Sequence, residues 1–308
     1  MLDERLRGDV FEDTGARGAL PFSVACPFCG DEMRPMIRSC ISSPDIEHGA
    51  VNGRARRAGE GARSATLMSV PDWDEAAPSY LAMVGDVRRG FNHLAADVVF
   101  DMLGSCDQQA VLDLGAGEGS NARRLRRLGA HVVAVEPTTA LLDAARTIEE
   151  ATPLGIRYFA DRAESLVNVP SNSIDAVIGV LVLHHVADLA TALGEVRRVV
   201  VPGGRLTAIV PHPWTDHPGA NWQPGAEGAR RLIGDYTVEG FWRTDESASV
   251  RSVGWYHRTV ATWLTTVAGA GFAITEVREP TGDEPRRADG GGPWSRVPRF
   301  LAFTARRP

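Results

Sequence analysis

The run Ala110-Val-Leu-Asp-Leu-Gly-Ala-Gly-Glu-Gly-Ser120 constrains the fold more than any other stretch of the chain. A short apolar strand ends in a glycine-rich turn, and Ala122, Leu125 and Leu128 follow with the spacing of one apolar helical face. The glycines allow a sharp bend and a close approach of backbone to ligand. In doubly wound α/β sheets, such a turn at the carboxyl end of a central strand is where ligands bind. His131 to Val135 reads as a second strand, with Glu136 at its tip. A carboxylate about 20 residues beyond the glycines is placed to accept both hydroxyls of a ribose.

Two cofactor classes share that geometry, nicotinamide dinucleotides and S-adenosylmethionine. The glycines fall as Gly115-x-Gly117-x-Gly119. A dinucleotide loop needs its last glycine one position later, to pack the helix and seat a pyrophosphate. The stretch Val-Leu-Asp-Leu-Gly-Ala-Gly-Glu-Gly resembles the first motif of the class I S-adenosylmethionine-dependent methyltransferases. The resemblance extends from about Trp73 to the C-terminus. It takes in Asp161, the Val-Leu-Val-Leu-His-His-Val-Ala-Asp stretch ending at Asp188, and Arg197-Arg-Val-Val-Val-Pro-Gly-Gly204. Trp255-Tyr-His-Arg-Thr259, Ala270-Gly-Phe272, Glu279-Pro280 and Pro298-Arg-Phe-Leu301 add a pattern similar to the ubiquinone/menaquinone-type, small-molecule branch.

That resemblance implies a Rossmann-like α/β fold, a doubly wound seven-stranded mostly parallel sheet with its last strand antiparallel. By position it implies that Gly115, Ala116 and Gly117 line the methionine moiety, with Asp113 supporting the turn. Glu136 would hold the ribose, Asp161 the adenine amino group with Arg162 beside it, and Leu181 the sulfonium end through its backbone. If the nucleophile is a hydroxyl, a histidine base suits neutral pH. His184 and His185 close the fourth strand, and alternation along a strand lets only one ring point inward, with His185 favoured. His212 and His257 border the expected substrate cavity, and both are further candidates.

The rest of the pattern agrees with alternating strands and helices. Phe91–Leu103, Thr138–Glu150, Ala187–Val200 and Arg258–Ala270 have helical spacing. Ile156–Phe159, Ser173–Leu183, Arg205–Val210, Phe272–Val277 and Phe300–Ala305 read as strands. Trp73 and Tyr80 fall in a region expected to fold over the cofactor, with Tyr80 near the substrate. Residues 211–256 interrupt the alternation with Trp214, Trp222, Trp242 and Trp255. An insertion of that length is usually functional; Trp214 and Trp242 there suit either a substrate lid or a local core holding the insertion together, within a methyltransferase domain over residues 70–308.

Residues 1–69 read as an N-terminal extension, with Gly, Arg and Ala and no apolar period over Gly53–Ser64. Within it Cys26-Pro-Phe-Cys29 forms a C-x-x-C knuckle. Cys40 and His48 are the nearby candidates to complete four zinc ligands, at a spacing that matches no common second knuckle. A zinc ribbon there would suit an RNA methyltransferase, the alternative reading. The net charge of −6 weighs against a long nucleic-acid footprint. All 33 basic Lys/Arg positions are arginine, which excludes a Schiff-base or P-loop lysine. With four cysteines, no basic-then-apolar leader and no run of 18 apolar residues, a cytoplasmic setting without membrane insertion is expected.

Overall fold

The computed structural model describes residues 73–86, 91–224, 228–243, 253–282 and 293–308. The chain divides into two units, Met1–Arg63 and Ser64–Pro308. Every described residue belongs to the second. The candidate zinc ligands Cys26, Cys29, Cys40 and His48, with the rest of 1–69, lie outside the described residues.

Seven strands form the central sheet: β1 (Ala110–Leu114), β2 (His131–Val135), β3 (Arg157–Phe159), β4 (Ile174–Val180), β5 (Val200–Pro211), and, late in the chain, Ala273–Arg278 and Phe300–Arg306. Between β5 and these last two run four short strands, β6 (Asn221–Gln223), β7 (Arg230–Leu232), β8 (Gly240–Trp242) and β9 (Trp255–His257), so the late pair are β10 and β11. Spatial order is β3-β2-β1-β4-β5-β11-β10. β11 lies antiparallel to both neighbours, slotted between β5 and β10. β1 to β5 are mutually parallel. Parallel neighbours need crossovers, which the helices supply.

The period-2 alternation of the strands sends residues to two separate cores. Val111, Val132, Ala134 and Ile178 face one side, with α2 (Phe91–Leu103), α3 (Ser120–Arg127) and α4 (Thr139–Ala151). Leu112, Leu114, Val133 and Val177 face the other, with α5 (Leu189–Val199) and α6 (Val260–Gly269). Each buried Leu, Ile or Val contributes about 1.5–3 kcal/mol, so a one-residue slip of any central strand would exchange two well-packed faces. α1 (Trp73–Asp86) packs against α4. From β1 the chain winds outward to β2 and β3, then returns to β4 on the other flank. Ligands bind at the carboxyl ends of the strands at this reversal.

Two expectations shift. β4 stops at Val180, three residues before Leu183, because Leu181 takes φ 55 and Leu183–His185 closes a 3-10 turn. The insertion 211–256 is not one loop. It holds two antiparallel ribbons, β6 with β7 and β8 with β9.

Candidate functional site

At the ends of β1, β2 and β4 a cavity of about 860 Å³ opens. Its first wall is the glycine turn. Gly115 and Ala116 both donate to the Val135 carbonyl, at 2.9 and 3.0 Å, which folds the turn over the end of β2. Gly115 has φ +68, and a β-carbon there would collide with the Val182 side chain. Gly117 has φ +56, and a β-carbon on it would stand 3.7 Å from the Tyr80 hydroxyl, in space the cavity uses.

Glu136 is buried and organises this turn from the next strand. One carboxylate oxygen accepts from Gly117 N and the other from Thr138 N, each at 2.9 Å. A carboxylate has about four acceptor positions, so each oxygen keeps one for a hydroxyl. Asp161, also buried, accepts from Asn168 N at 2.8 Å and from its side-chain amide at 2.7 Å, and likewise keeps acceptor capacity. Arg162 lines the cavity beside it. Asp113 lies beneath the turn, buried, and takes a hydrogen bond from the Ala122 backbone at the start of α3. Burial, with Glu118 and Glu136 nearby, pushes its carboxyl up to about 7. This end fits the S-adenosyl group: backbone curves around open space, with acceptors at the tips of β2 and β3.

The opposite end is aromatic. Trp73 meets Tyr80 edge-on at 5.6 Å and His185 edge-on at 5.0 Å. Trp255 meets His184 at 6.4 Å. Arg299 lies over the Phe91 and Trp294 rings, at 4.7 and 5.1 Å. Tyr80 holds its proton well above the usual range, from burial and from the charges of Glu118, Glu136 and Asp113.

Both histidines of the pair line the cavity, their rings 4.0 Å apart. The expectation that only one could point inward fails, because they sit on a 3-10 turn and not on a strand. Arg258 pins that turn, donating to the Val186 and Ala187 carbonyls at 2.6 and 2.8 Å. Burial holds His184 well below its ordinary range, and the charges of His185 and Arg258 add to this. His185 is pushed down to about 4 by burial, against a hydrogen bond to Gly254.

The other two histidines are not on the cavity wall. His212 accepts from Trp214 N on Nδ1, so its Nε2 carries the proton and donates to Glu279 at 2.8 Å. His257 donates from Nε2 to the Tyr236 carbonyl at 2.7 Å. Both rings hold the insertion together. Trp214 is 44% exposed and packs on His212 and Tyr236, while Trp242 packs on Trp255 at 4.1 Å. Neither reaches the cavity; from the insertion, Pro211, Asp216 and Trp255 do. Leu181 lines the cavity, and its backbone takes a left-handed conformation that is strained for leucine and typical of functional sites.

Trp73, in the region expected to fold over the cofactor, is on the wall; sequence reasoning gave no site role to Asn92, Glu118, Trp294 or Arg299, which are there too. Glu118 lay inside the glycine motif and Arg299 inside the Pro298-Arg-Phe-Leu301 pattern, so both were legible; Asn92 and Trp294 carry no local signal. Among the described residues the wall has six carboxylates (Asp74, Glu118, Glu136, Asp161, Glu164, Asp216) against two guanidiniums, Arg162 and Arg299.

Comparison with known proteins agrees with this architecture. Residues 112–208 match the methyltransferase domain family. A crystal structure of an S-adenosylmethionine-dependent methyltransferase from Mesorhizobium loti superposes with a TM-score of 0.60 at 30% identity, over 68% of this chain and 96% of that one. An uncharacterized methyltransferase of Mycobacterium tuberculosis is 38% identical over 42% of this chain and 51% of its own length. A ubiquinone biosynthesis O-methyltransferase of Alkalilimnicola ehrlichii is 30% identical over 44% of this chain and 56% of its own. The chain thus spans about half the length of the curated relatives it matches.

Proposed function

The chain belongs to the S-adenosylmethionine-dependent methyltransferases, and from that premise we propose that it methylates a small molecule, of the secondary-metabolite kind, on oxygen, nitrogen or carbon. The observation that carries the reading is one cavity with two unlike ends: a glycine turn with Glu136 and Asp161, and an aromatic end with the paired histidines. Bound S-adenosylmethionine supplies an electrophilic methyl group. The chain's own residues bind, orient and exclude water. Gly115, Ala116 and Gly117 shape the amino-acid subsite, with Asp113 bracing α3 behind them. Glu136 offers its remaining lone pairs to ribose hydroxyls, Asp161 offers its own to an adenine amino group, and the Leu181 backbone borders the reacting end.

Trp73, Tyr80 and Trp255 supply flat apolar area, which desolvates the acceptor and strengthens the interactions left inside. His185 takes the acceptor's proton where the acceptor has one to lose, with His184 beside it. The insertion 211–256 acts as the lid through Asp216 and Trp255, and residues 70–308 form the catalytic domain. The acidic excess on the wall favours a small acceptor over an RNA backbone. No helix among the described residues is long and apolar enough to cross a membrane, which is compatible with action in the cytoplasm.

Two measurements test the reading. Calorimetry with S-adenosylhomocysteine on the full chain should show stoichiometric binding, and none with NAD. Methyl-labelled S-adenosylmethionine incubated with fractionated metabolite extracts should place label in a low-molecular-weight product. No homocysteine-analogue binding, or label found only in RNA, overturns it.

A further inference from the structure

We propose that the peptide carbonyl of Gly254 fixes His185 as the Nδ1–H tautomer, and that the acceptor taken at this end of the cavity is consequently an uncharged hydroxyl or N–H compound, not a carboxylate. The inference rests on the methyl-transfer reading and narrows its substrate class. His185 Nδ1 lies 2.9 Å from the Gly254 oxygen. A carbonyl oxygen can only accept, so Nδ1 carries the hydrogen. In the neutral ring Nε2 is then a bare lone pair. Among the described residues nothing hydrogen-bonds to that Nε2, and His184 Nδ1, buried beside it, also has no partner. His184 Nδ1 is a buried polar atom left unpaired, and a ligand group at this end would give it a partner.

The Gly254 peptide is held firmly. It sits buried at φ +79, where a β-carbon would collide with the Phe241 ring and stand 2.8 Å from the Trp242 carbonyl. The next residue, Trp255, pairs with Trp242 across the ribbon of β8 and β9. The insertion thereby acts as a positioning element for the histidine, through backbone and not through its exposed tryptophan.

What such a nitrogen can receive is a donor. A hydroxyl or N–H fits it; a carboxylate would set lone pair against lone pair. Burial keeps the ring unprotonated before reaction, so it has no positive charge to offer an anion. The step balances: the acceptor's X–H proton goes to Nε2 as the electron pair on X forms the bond to the methyl carbon. The pair of the broken carbon–sulfur bond stays on sulfur, and the positive charge passes to the imidazolium, which then gives its proton to water.

The test uses the full chain saturated with S-adenosylhomocysteine and two matched probes, naphthol and naphthoate, with affinities from calorimetry at neutral pH. Naphthol should bind about tenfold tighter, and His185→Phe should abolish the preference. A long-range 1H–15N spectrum of the histidine rings should show His185 protonated on Nδ1. Equal or tighter binding of naphthoate, no binding of naphthol, or a ring protonated on Nε2 alone overturns the inference while leaving the family reading intact. Failure of S-adenosylhomocysteine to bind overturns the proposed function, and this inference with it.

Discussion

Glu136 reaches from the tip of β2 to hold the peptide N–H of Gly117 at 2.9 Å, so the acidic residue and the glycine turn form one structure. With its other oxygen on Thr138 N, the same carboxylate also anchors the entry to α4. A residue expected to touch ribose therefore shapes the loop that surrounds the cofactor as well.

Glu136→Ala should weaken S-adenosylhomocysteine binding by about 1.5–3 kcal/mol, the range for a lost charged hydrogen-bond partner. It should also lower the melting temperature, because two backbone N–H groups lose their acceptor. Glu136→Gln keeps one acceptor oxygen and should fall between. Calorimetry finding wild-type affinity in the alanine variant would remove Glu136 from the cofactor site.

His212→Ala should destabilise the fold and leave cofactor affinity unchanged. The buried ring bridges Trp214 N and Glu279, and its removal strands that N–H at a cost of about 1–3 kcal/mol. His185→Ala should slow turnover of a protic acceptor, on top of the stability lost when the Gly254 carbonyl loses its donor. Urea unfolding and calorimetry on the pair of variants separate the two roles. A His212→Ala protein of wild-type stability contradicts the structural assignment.

Trp214→Ala should change neither cofactor affinity nor acceptor turnover, since the ring lies outside the cavity. Trp242→Ala should cost about 0.5–1.5 kcal/mol from its lost contact with Trp255, beyond any area term. Its effect on acceptor binding should come only through Trp255 and Gly254. A Trp214 variant with lowered acceptor affinity and unaltered melting would restore the tryptophan lid.

Asp113 should make the protein less stable as pH rises. Its carboxyl is raised in the fold to about 7 from 3.8. Between those values the folded state binds the extra proton, so unfolding free energy falls with pH across that window and levels above it. Asp113→Asn keeps an oxygen for Ala122 N but cannot ionise. Its stability should be flatter between about pH 4 and about pH 7 and exceed that of the wild type above the window. Parallel slopes for the two proteins would show that Asp113 does not titrate as inferred.

The β1–turn–α3 unit, the β2 strand ending at Glu136 and the β3 strand ending near Asp161 were legible because each is set by short-range chemistry. Apolar alternation, glycine spacing and a carboxylate at a strand tip need no distant partner. The histidine pair was legible in place but not in geometry. Strand alternation was the wrong rule at His184 and His185, since the strand had ended at the left-handed Leu181.

The sequence by itself determined the parallel sheet, its glycine turn and the cofactor class, because residue periodicity and the positive φ of glycine are local properties. Only the tertiary structure decided which aromatic rings reach the cavity. Trp214 and Trp255 look alike in sequence, and their fates depend on where β5, the ribbons and α1 converge in space. The tautomer of His185 was decided the same way, by a carbonyl 69 residues away that no local pattern announces.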